Sequence, residues 1–567
     1  MERCFHAFLT VFLVHANFAS GHVHYITPSH NLSCPQQPCF TLSELAADSN
    51  LSRTTNVTLL LLPGNHHLNH ELVISDANNV SVTKLGGSVF VRCTSQSGRF
   101  KISRTTTVSI KGLHFMGCGG NLVTQVNRLT IEDTIFQGIE GSGTALVLNG
   151  TVEANIVTCS YFCNTIGSTI QGFEVSTFDM SETRTAGGAI IATQSNALIY
   201  NTIFEGNSAH FGTSIYVGKR SNVSINNSQF FNEASTSGSS GFGVLFVDQD
   251  CSVQVSNSTF NNNKAGYGVI SSFGGTVVIN NDTIFVSNTA LVYGGAVFVY
   301  NGSLYVNHST FLNNTAGNGG GVIGAYGGSC FIADSTFSSN IAHFIGGVIY
   351  AMTIKHFLPS NTSGGTDTAV GSFYIAGSTF SNNAAEVGGV MYTINSSVCV
   401  TDSSFHNNTA VTAGGVLYIF ESVFLIANTT FNSSAASLGG IAHSYDSQMT
   451  IIDCNFEKTT TSMLGAMYLF LTSINFSGNT DFVDNLGSVY AFSCNVTFNG
   501  STRFENGMVN SDDVQFVQES GAITSILSNV HLAGTSNLIN NQGMLGGAIL
   551  AIESMISISG DLSLIHI

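Results

Sequence analysis

Apolar and polar residues alternate in short runs throughout this chain, and the runs recur at a fixed interval. The segment Ser303-Leu-Tyr-Val-Asn-His-Ser-Thr-Phe311-Leu-Asn-Asn314-Thr-Ala316 shows the grammar of one unit. An alternating stretch leads to phenylalanine, asparagine follows three residues later and alanine two after that, and glycines then open a second apolar stretch. Alternation with a period of two predicts strands, because successive Cβ atoms of extended backbone point to opposite faces. The phenylalanines set the interval. Phe260, Phe285, Phe311 and Phe337 are 25, 26 and 26 residues apart, and Phe380, Phe405, Phe431, Phe456 and Phe482 are 25, 26, 25 and 26 apart. Upstream, Phe136, Phe162, Phe204, Phe230 and Phe260 are separated by 26, 42, 26 and 30 residues.

A coil of 25 or 26 residues accommodates three strands of four or five residues and three turns. The predicted fold is therefore all-β: a right-handed parallel β-helix, a pectate-lyase-like solenoid with coils of 25–26 residues. The hand follows from the strong preference of parallel crossovers. Longer gaps mark loop inserts at about 170–185, 235–241 and 351–371, the last holding Pro359, Gly364 and Gly365. Rival solenoids fail: leucine-rich repeats need several Leu per turn, and propeller repeats run longer. Phe on Phe in successive coils predicts a buried apolar column worth about 2 kcal/mol per ring. Asn three residues after Phe, as at Asn207, Asn263, Asn288, Asn314, Asn340, Asn383, Asn408 and Asn485, reads as a turn residue in left-handed backbone whose amide bonds to the next coil's. Gly-Gly pairs starting at Gly187, Gly294, Gly346, Gly388, Gly414, Gly439 and Gly546 read as corners too tight for a Cβ. Near the amino terminus, Thr41-Leu-Ser-Glu44 is a capping-box pattern that opens a short helix. The expected order is a secretory leader at 1–20, an amino-terminal cap with that helix at 21–58, and the β-helix at 59–561. A non-native tail is expected at 562–567, since Leu562-Ser-Leu-Ile-His-Ile567 resembles a translated transposon end.

Composition narrows the function. The 567 residues carry 33 Asp and Glu against 16 Lys and Arg, a formal charge of −17, yet only 9% are charged and 43% are hydrophobic. Nucleic-acid binding would need a basic stripe, so nucleic acid is excluded as a partner, and disorder would need fewer apolar residues. Twenty Asn-x-Ser/Thr sequons, read together with the leader, suit an N-glycosylated secreted protein. Within the repeats, the glycosylation candidates are Asn226, Asn257, Asn281, Asn307, Asn313, Asn407 and Asn428, all in turns beside Phe. The strand after Gly-Gly, at 296–300, 348–350 and 416–419, carries none and presents Tyr300, Tyr350, Tyr392 and Tyr418 as surface-binding candidates, with burial in the core the competing reading. In an oxidising compartment Cys34 with Cys39 is the most plausible local disulfide, with Cys93 to Cys118 and Cys159 to Cys163 as further candidates, and the later cysteines read as buried thiols. No Cys-x2-Cys knuckle is present, no run reaches 18 apolar residues, and a membrane anchor has room only beyond residue 567. His66, His67 and His70 read as a solvated turn rather than a metal site, and no cofactor or metal is expected.

The Gly-Gly-Ala-[Ile/Val] elements at Gly187, Gly294 and Gly546, with Phe-x-x-Asn at Phe204, Phe285, Phe311 and Phe337, resemble the repeat of chlamydial polymorphic outer membrane proteins. The resemblance covers about residues 136–550 and implies a β-helical surface adhesin. The Leu-Pro-Gly and Cys118-Gly-Gly-Asn121 elements look more like uncharacterised secreted β-helix proteins of sponges and cnidarians. No carboxyl-terminal barrel of the chlamydial kind is seen. Polygalacturonase-like sites resemble Asn-Thr-Asp, Asp-Asp, Gly-His-Gly and Arg-Ile-Lys in order. This chain has Asn479-Thr480-Asp481 and Asp512-Asp513 but neither later element, so Asp481, Asp512 and Asp513 remain catalytic candidates without a complete constellation. The expected function is a non-catalytic extracellular or cell-surface scaffold that recognises a protein or glycan. The alternative is a polysaccharide-active enzyme, pectin lyase-like or polygalacturonase-like.

Overall fold

The computed structural model describes residues 22–28, 39–47, 56–93, 98–138, 140–141, 144–162, 164–166, 187–235, 240–353, 372–508, 520–543 and 545–565. The expected leader, Cys34, Cys163, Asp512, Asp513 and most of the three expected inserts lie outside these residues. Two compact units result, Met1–Ala209 with Thr213–Ser228, and His210–Gly212 with Gln229–Ile567. Each is an all-β parallel solenoid.

In the second unit every coil gives one strand to each of three parallel sheets. A typical coil has Met391–Ile394 in the first sheet, Ser397–Thr401 in the second and Ser404–His406 in the third, with a short extra strand Thr409–Ala413 before Gly-Gly. The next coil lies on it in register, Tyr392 on Tyr418, Cys399 on Leu425 and Phe405 on Phe431. The chain turns between sheets at left-handed residues, here Asn395 (φ 51°), Asp402 (φ 49°) and Asn407 (φ 56°), and Asn and Asp tolerate that backbone better than most side chains. One row of such corners on consecutive coils reads Asp282, His308, Asp334, Gly377, Asp402, Asn428, Asp453 and Gly478.

Phenylalanine stacks inside the third sheet as expected. From Phe230 through Phe260, Phe285, Phe311, Phe337, Phe380, Phe405, Phe431, Phe456 and Phe482 to Phe504, ring centroids are 4.5–5.1 Å apart and every ring is buried. Each such pair adds about 0.5–1.5 kcal/mol to the burial of its rings. The asparagine column differs from expectation in one respect. The left-handed residue is the one before it, Asn313, Ser339, Asn382 or Asn407, and the asparagine itself turns inward and is buried. Its amide closes a continuous chain of hydrogen bonds. Asn288 Nδ2 donates to Asn314 Oδ1 (3.0 Å), Asn314 to Asn340 (3.1 Å), Asn340 to Asn383 (3.1 Å) and Asn383 to Asn408 (3.0 Å). The same Oδ1 of Asn314 also accepts the backbone N–H of Asn288 (3.1 Å), and Nδ2 of Asn314 donates to the carbonyl of Phe285 (3.0 Å). Four hydrogen bonds thus satisfy one buried amide completely.

The two glycines of each pair serve different needs. Gly294, Gly346, Gly388 and Gly414 have φ between 62° and 69°, whereas a Cβ on the second glycine, Gly295, would strike the carbonyl oxygen of Gly321 in the next coil.

The first unit begins earlier than expected, since His22–Ile26, inside the segment read as a cap, already pairs with Asn56–Leu61. Helix Leu42–Ala47 packs on strands Gly64–Leu68 and Glu71–Ser75 and starts with the capping box, Thr41 N–H donating to Glu44 Oε2 (2.8 Å) and Glu44 N–H to Thr41 Oγ1 (3.3 Å). Its interior ring column is Phe115, Phe136, Tyr161 and Phe204. Tyr161 replaces the expected Phe162, because Ser160–Phe162 pairs with Ile135–Gln137 so that Tyr161 falls on Phe136 and Phe162 points outward. His66 is likewise not in a solvated turn. It lies in strand Gly64–Leu68, inward and 1% exposed, on Val91, with Nε2 bonded to the Leu62 carbonyl (2.7 Å) and its pKa lowered by burial. The last described strand, Leu562–Ile565, pairs with Ser536–Ile539.

Two outcomes follow. Asn314→Asp can still accept from Asn288 but its side chain cannot donate to Asn340 or Phe285, so two buried hydrogen bonds are lost at about 1–3 kcal/mol each, while Asn340 Oδ1 keeps the Asn314 backbone N–H. The urea midpoint of Asn314→Asp should fall by more than that of Ser339→Asn at the half-buried left-handed corner of the next coil, which should hardly move. Cys93 and Cys118 are joined by a disulfide that closes a loop of 25 residues. Replacing both with serine should lower the stability of the first unit by about 3 kcal/mol, read as a shifted chemical-denaturation midpoint.

Candidate functional site

A solenoid that stacks in register turns every outward position into a row. In the second unit the first sheet has two such rows. One runs Phe298, Gly324, Tyr350, Tyr392, Tyr418, His443, Tyr468 and Tyr490, and the other runs Phe273, Tyr300, Tyr326, Met352, Ile394, Phe420, Tyr445, Phe470 and Phe492. The rings pile on one another: Tyr392 on Tyr418 at 4.8 Å and 5°, Tyr418 on His443 at 4.7 Å and 3°, Phe420 on Tyr445 at 5.1 Å and 8°. Their faces are therefore spent on neighbours, and the surface receives ring edges and phenol hydroxyls. Tyr300, Tyr392 and Tyr418 are half-buried, while Tyr350 is only 5% exposed and packs between Tyr293, Tyr326 and Tyr392. Burial raises the pKa of Tyr350 and Tyr418 and lifts that of Tyr392 to about 12, so all three stay protonated donors at neutral pH.

His443 is the odd member of its row. Burial lowers its pKa to about 4, and its Nδ1 has no partner.

The carboxylate candidate sits elsewhere. Asp481 lies in strand Asn479–Val483 of the third sheet, directly beside Arg503 of the next coil, and accepts a hydrogen bond from Arg503 Nη2 (2.9 Å) while Nη1 reaches Glu505 (2.7 Å). Thr480 points inward and is buried in a column of Ser and Thr, and the Asn479 N–H donates to Asp453 (2.7 Å). The Asn-Thr-Asp segment is thus woven into ordinary coil-to-coil contacts. Among the described residues no group of three His, Cys, Asp or Glu side chains gathers in metal-ligand geometry.

Of the cysteine candidates, Cys39 is disulfide-bonded, Cys93 is bonded to Cys118, and Cys159 is a buried free thiol whose pKa is pushed up to about 12 by desolvation. Cys454 and Cys494 occupy positions that Ser or Thr fill in other coils: the Cys494 Sγ accepts the Thr472 N–H (3.3 Å), as Ser447 Oγ accepts that of Ser422 (3.0 Å). Asn257, Asn281, Asn307, Asn313, Asn407 and Asn428 are exposed at or beside the corners that flank the third sheet, and Asn226 is half-buried.

The sequence reading missed an exposed row of large apolar side chains, which lies on the second sheet. Tyr305, Phe331, Tyr374 and Leu425 are 42%, 40%, 42% and 37% exposed in one outward row. Its signal was present: in these strands the central residue is apolar although the alternation assigns it to solvent.

No protein-family profile matches the chain, and no curated protein matches it. Among solved structures, it is similar to the receptor-binding protein of bacteriophage Det7, a tailspike, at 10% identity over 96% of this chain and 78% of that one, with a TM-score of 0.20. It is also similar to the PL6 family alginate lyase AlyGC, at 9% identity over 89% of this chain and 97% of that one, with a TM-score of 0.17. Likenesses of this size carry no argument about what this chain binds or does.

The His443 geometry generates a pH prediction. With the folded-state pKa near 4 and the ordinary value at 6.5, the unfolded chain takes up the proton first as pH falls. The stability that neutral His443 permits is complete above about 6.5 and is lost progressively toward 4. His443→Tyr, which keeps the ring stack, should flatten the decline in thermal midpoint over that window and leave the midpoint at pH 8 nearly unchanged.

Proposed function

We propose that the protein is a secreted, non-catalytic scaffold that recognises an extracellular protein or glycan, in the manner implied by its adhesin-like repeats. The observation that carries this reading is the pair of ring rows on the first sheet of the second unit. From Tyr392 to Tyr490 and from Phe420 to Phe492 they hold aromatic side chains half in solvent over four or five consecutive coils. Half-buried phenols combine apolar area with a polar tip, which is the chemistry of recognition surfaces. Most sequons of the repeats stand at the corners that flank the third sheet, and the strands of the first sheet carry none, so glycans there would leave its outer face bare; Asn301 and Asn395 stand at the corner directly after its strands. Tyr300, Tyr392 and Tyr418 are its contact residues, and Tyr350, buried in the same row, packs against Tyr392.

The polysaccharide-active alternative asks Asp481 to act as acid or base. Its carboxylate is tied to Arg503 of the next coil, and none of the other described elements of such a site stands beside it. An enzyme for polyuronates would also need cations to hold its substrate. The described residues of the second unit contain sixteen Asp and Glu against three Lys and Arg, a formal charge of −13.

Two assays test the reading. On polygalacturonate and alginate, no turnover is expected; turnover that Asp481→Ala abolishes would reverse the order of the two functions. On arrays of matrix proteins and neutral glycans, binding should drop about tenfold or more for the Tyr392→Ser and Tyr418→Ser double variant with an unchanged circular-dichroism spectrum.

A further inference from the structure

The second sheet of the second unit carries a strip that the ring rows do not explain. Strands Thr276–Asn280, Ser303–Asn307, Ser329–Ala333, Ser372–Ala376, Ser397–Thr401 and Val423–Ala427 pair in register, which sets Val278, Tyr305, Phe331, Tyr374, Cys399 and Leu425 in one outward row. Val423, 51% exposed, adds to its end. The row is bounded. Gln254 precedes it and Thr450 follows it in the same register. Its flanks are small, Ser303, Ser329, Ser372 and Ser397 on one side and Ala333 and Ala376 on the other, so the strip is flat and open. An exposed, contiguous apolar strip with defined ends is the mark of an interaction site.

Charge decides what fits it. Among the described residues between Lys264 and Lys458 there is no Lys or Arg, while Asp282, Asp334 and Asp402 stand at the corner after these strands and Glu421 at the corner before Val423. The strip is therefore uncharged in the middle and anionic at its rim. A second copy of this chain would bring its own carboxylates against that rim. A polysaccharide would find few hydrogen-bond partners on Val278, Phe331 and Leu425. We propose that the strip docks a protein partner whose contact patch is apolar at its centre and carries Lys or Arg around it. The proposal rests on the scaffold reading above and names one partner class for it. Apolar contact supplies the residence time and the opposite rims speed encounter and fix orientation.

The probe is a synthetic amphipathic peptide of Leu and Lys, followed by fluorescence anisotropy, with a Leu/Glu peptide and a Lys-only peptide as controls. The full chain is used in glycosylated form and as Asn307→Gln, because Asn307 faces the same side as Tyr305 and a glycan there is the competing occupant. The Leu/Lys peptide is expected to bind both forms, more weakly at high salt, and to lose about tenfold or more in affinity in Phe331→Ser with Tyr374→Ser and again in Leu425→Glu. These side chains point outward, so thermal midpoints should hold, and Leu425→Glu keeps the test open if the double variant unfolds. Unchanged binding by the variants, equal binding of the Lys-only peptide, or binding by the Asn307→Gln form alone would each overturn the proposal. If the strip variants bind the arrays and the Leu/Lys peptide as well as the unaltered chain does, the scaffold reading stands while this strip falls. If the arrays stay empty while the peptide binds as expected, the reverse holds.

Discussion

Parallel hydrogen bonding between coils places each side chain on its own counterpart about 4.8 Å away, and the rest of the molecule answers to that constraint. A residue type is admitted only if it is content beside a copy of itself or beside a suitable neighbour. Phenylalanine is, through stacking; asparagine is, because its amide both donates and accepts. The buried amide chain from Asn263 to Asn408 shows the principle at its strictest, since each interior amide from Asn288 to Asn383 accepts two hydrogen bonds and donates two within the protein. Glycine serves where even a methyl group would meet the next carbonyl. The low content of charged residues has the same origin, because like charges stacked at this pitch repel. Several cations of the first unit lie against acids of an adjacent coil, as Arg104 on Asp76 and Lys111 on Glu132.

The same constraint bears on function. A catalytic centre gathers unlike groups at one point, whereas stacked coils readily produce rows of like groups. Asp481, Arg503 and Glu505 do bring unlike charges together, yet they do so along the stack, as an interlock between adjacent coils. Recognition is the task for which repeated rows are well suited, since contact area grows with each coil without any new geometry. The ring rows and the apolar strip occupy different sheets of the second unit, so two partners need not compete.

What could be read from the sequence was what the stacking constraint makes periodic: the Phe column, the amide-bonded Asn column and the Gly-Gly corners, and hence the parallel β-solenoid. What could not be read was decided by one-residue shifts and by neighbours in other coils. Tyr161 and Phe162 are adjacent aromatics, and only pairing with Phe136 tells which one is inside. His66 follows Pro63-Gly64 and is polar, so a turn was the natural reading, but it occupies the interior position that Val91 and Phe115 hold in later coils. The left-handed corner falls one residue before the asparagine, because the amide is needed inside. Tyr305, Phe331 and Tyr374 were hidden by expectation, since outward positions in alternating strands are assumed polar.

The corner row Asp282, His308, Asp334, Gly377, Asp402, Asn428, Asp453 and Gly478 alternates an acid with a residue that is neutral at pH 7. Skipping a coil doubles the separation of the acids to about 9.6 Å, close to the distance over which salt screens exposed charge. A tandem duplication of one coil would break this alternation and set either two acids or two neutral residues side by side. Duplicating two coils preserves it. Electrostatics thus makes the coil pair, rather than the 26-residue repeat, the module by which such a chain lengthens at no cost in charge repulsion.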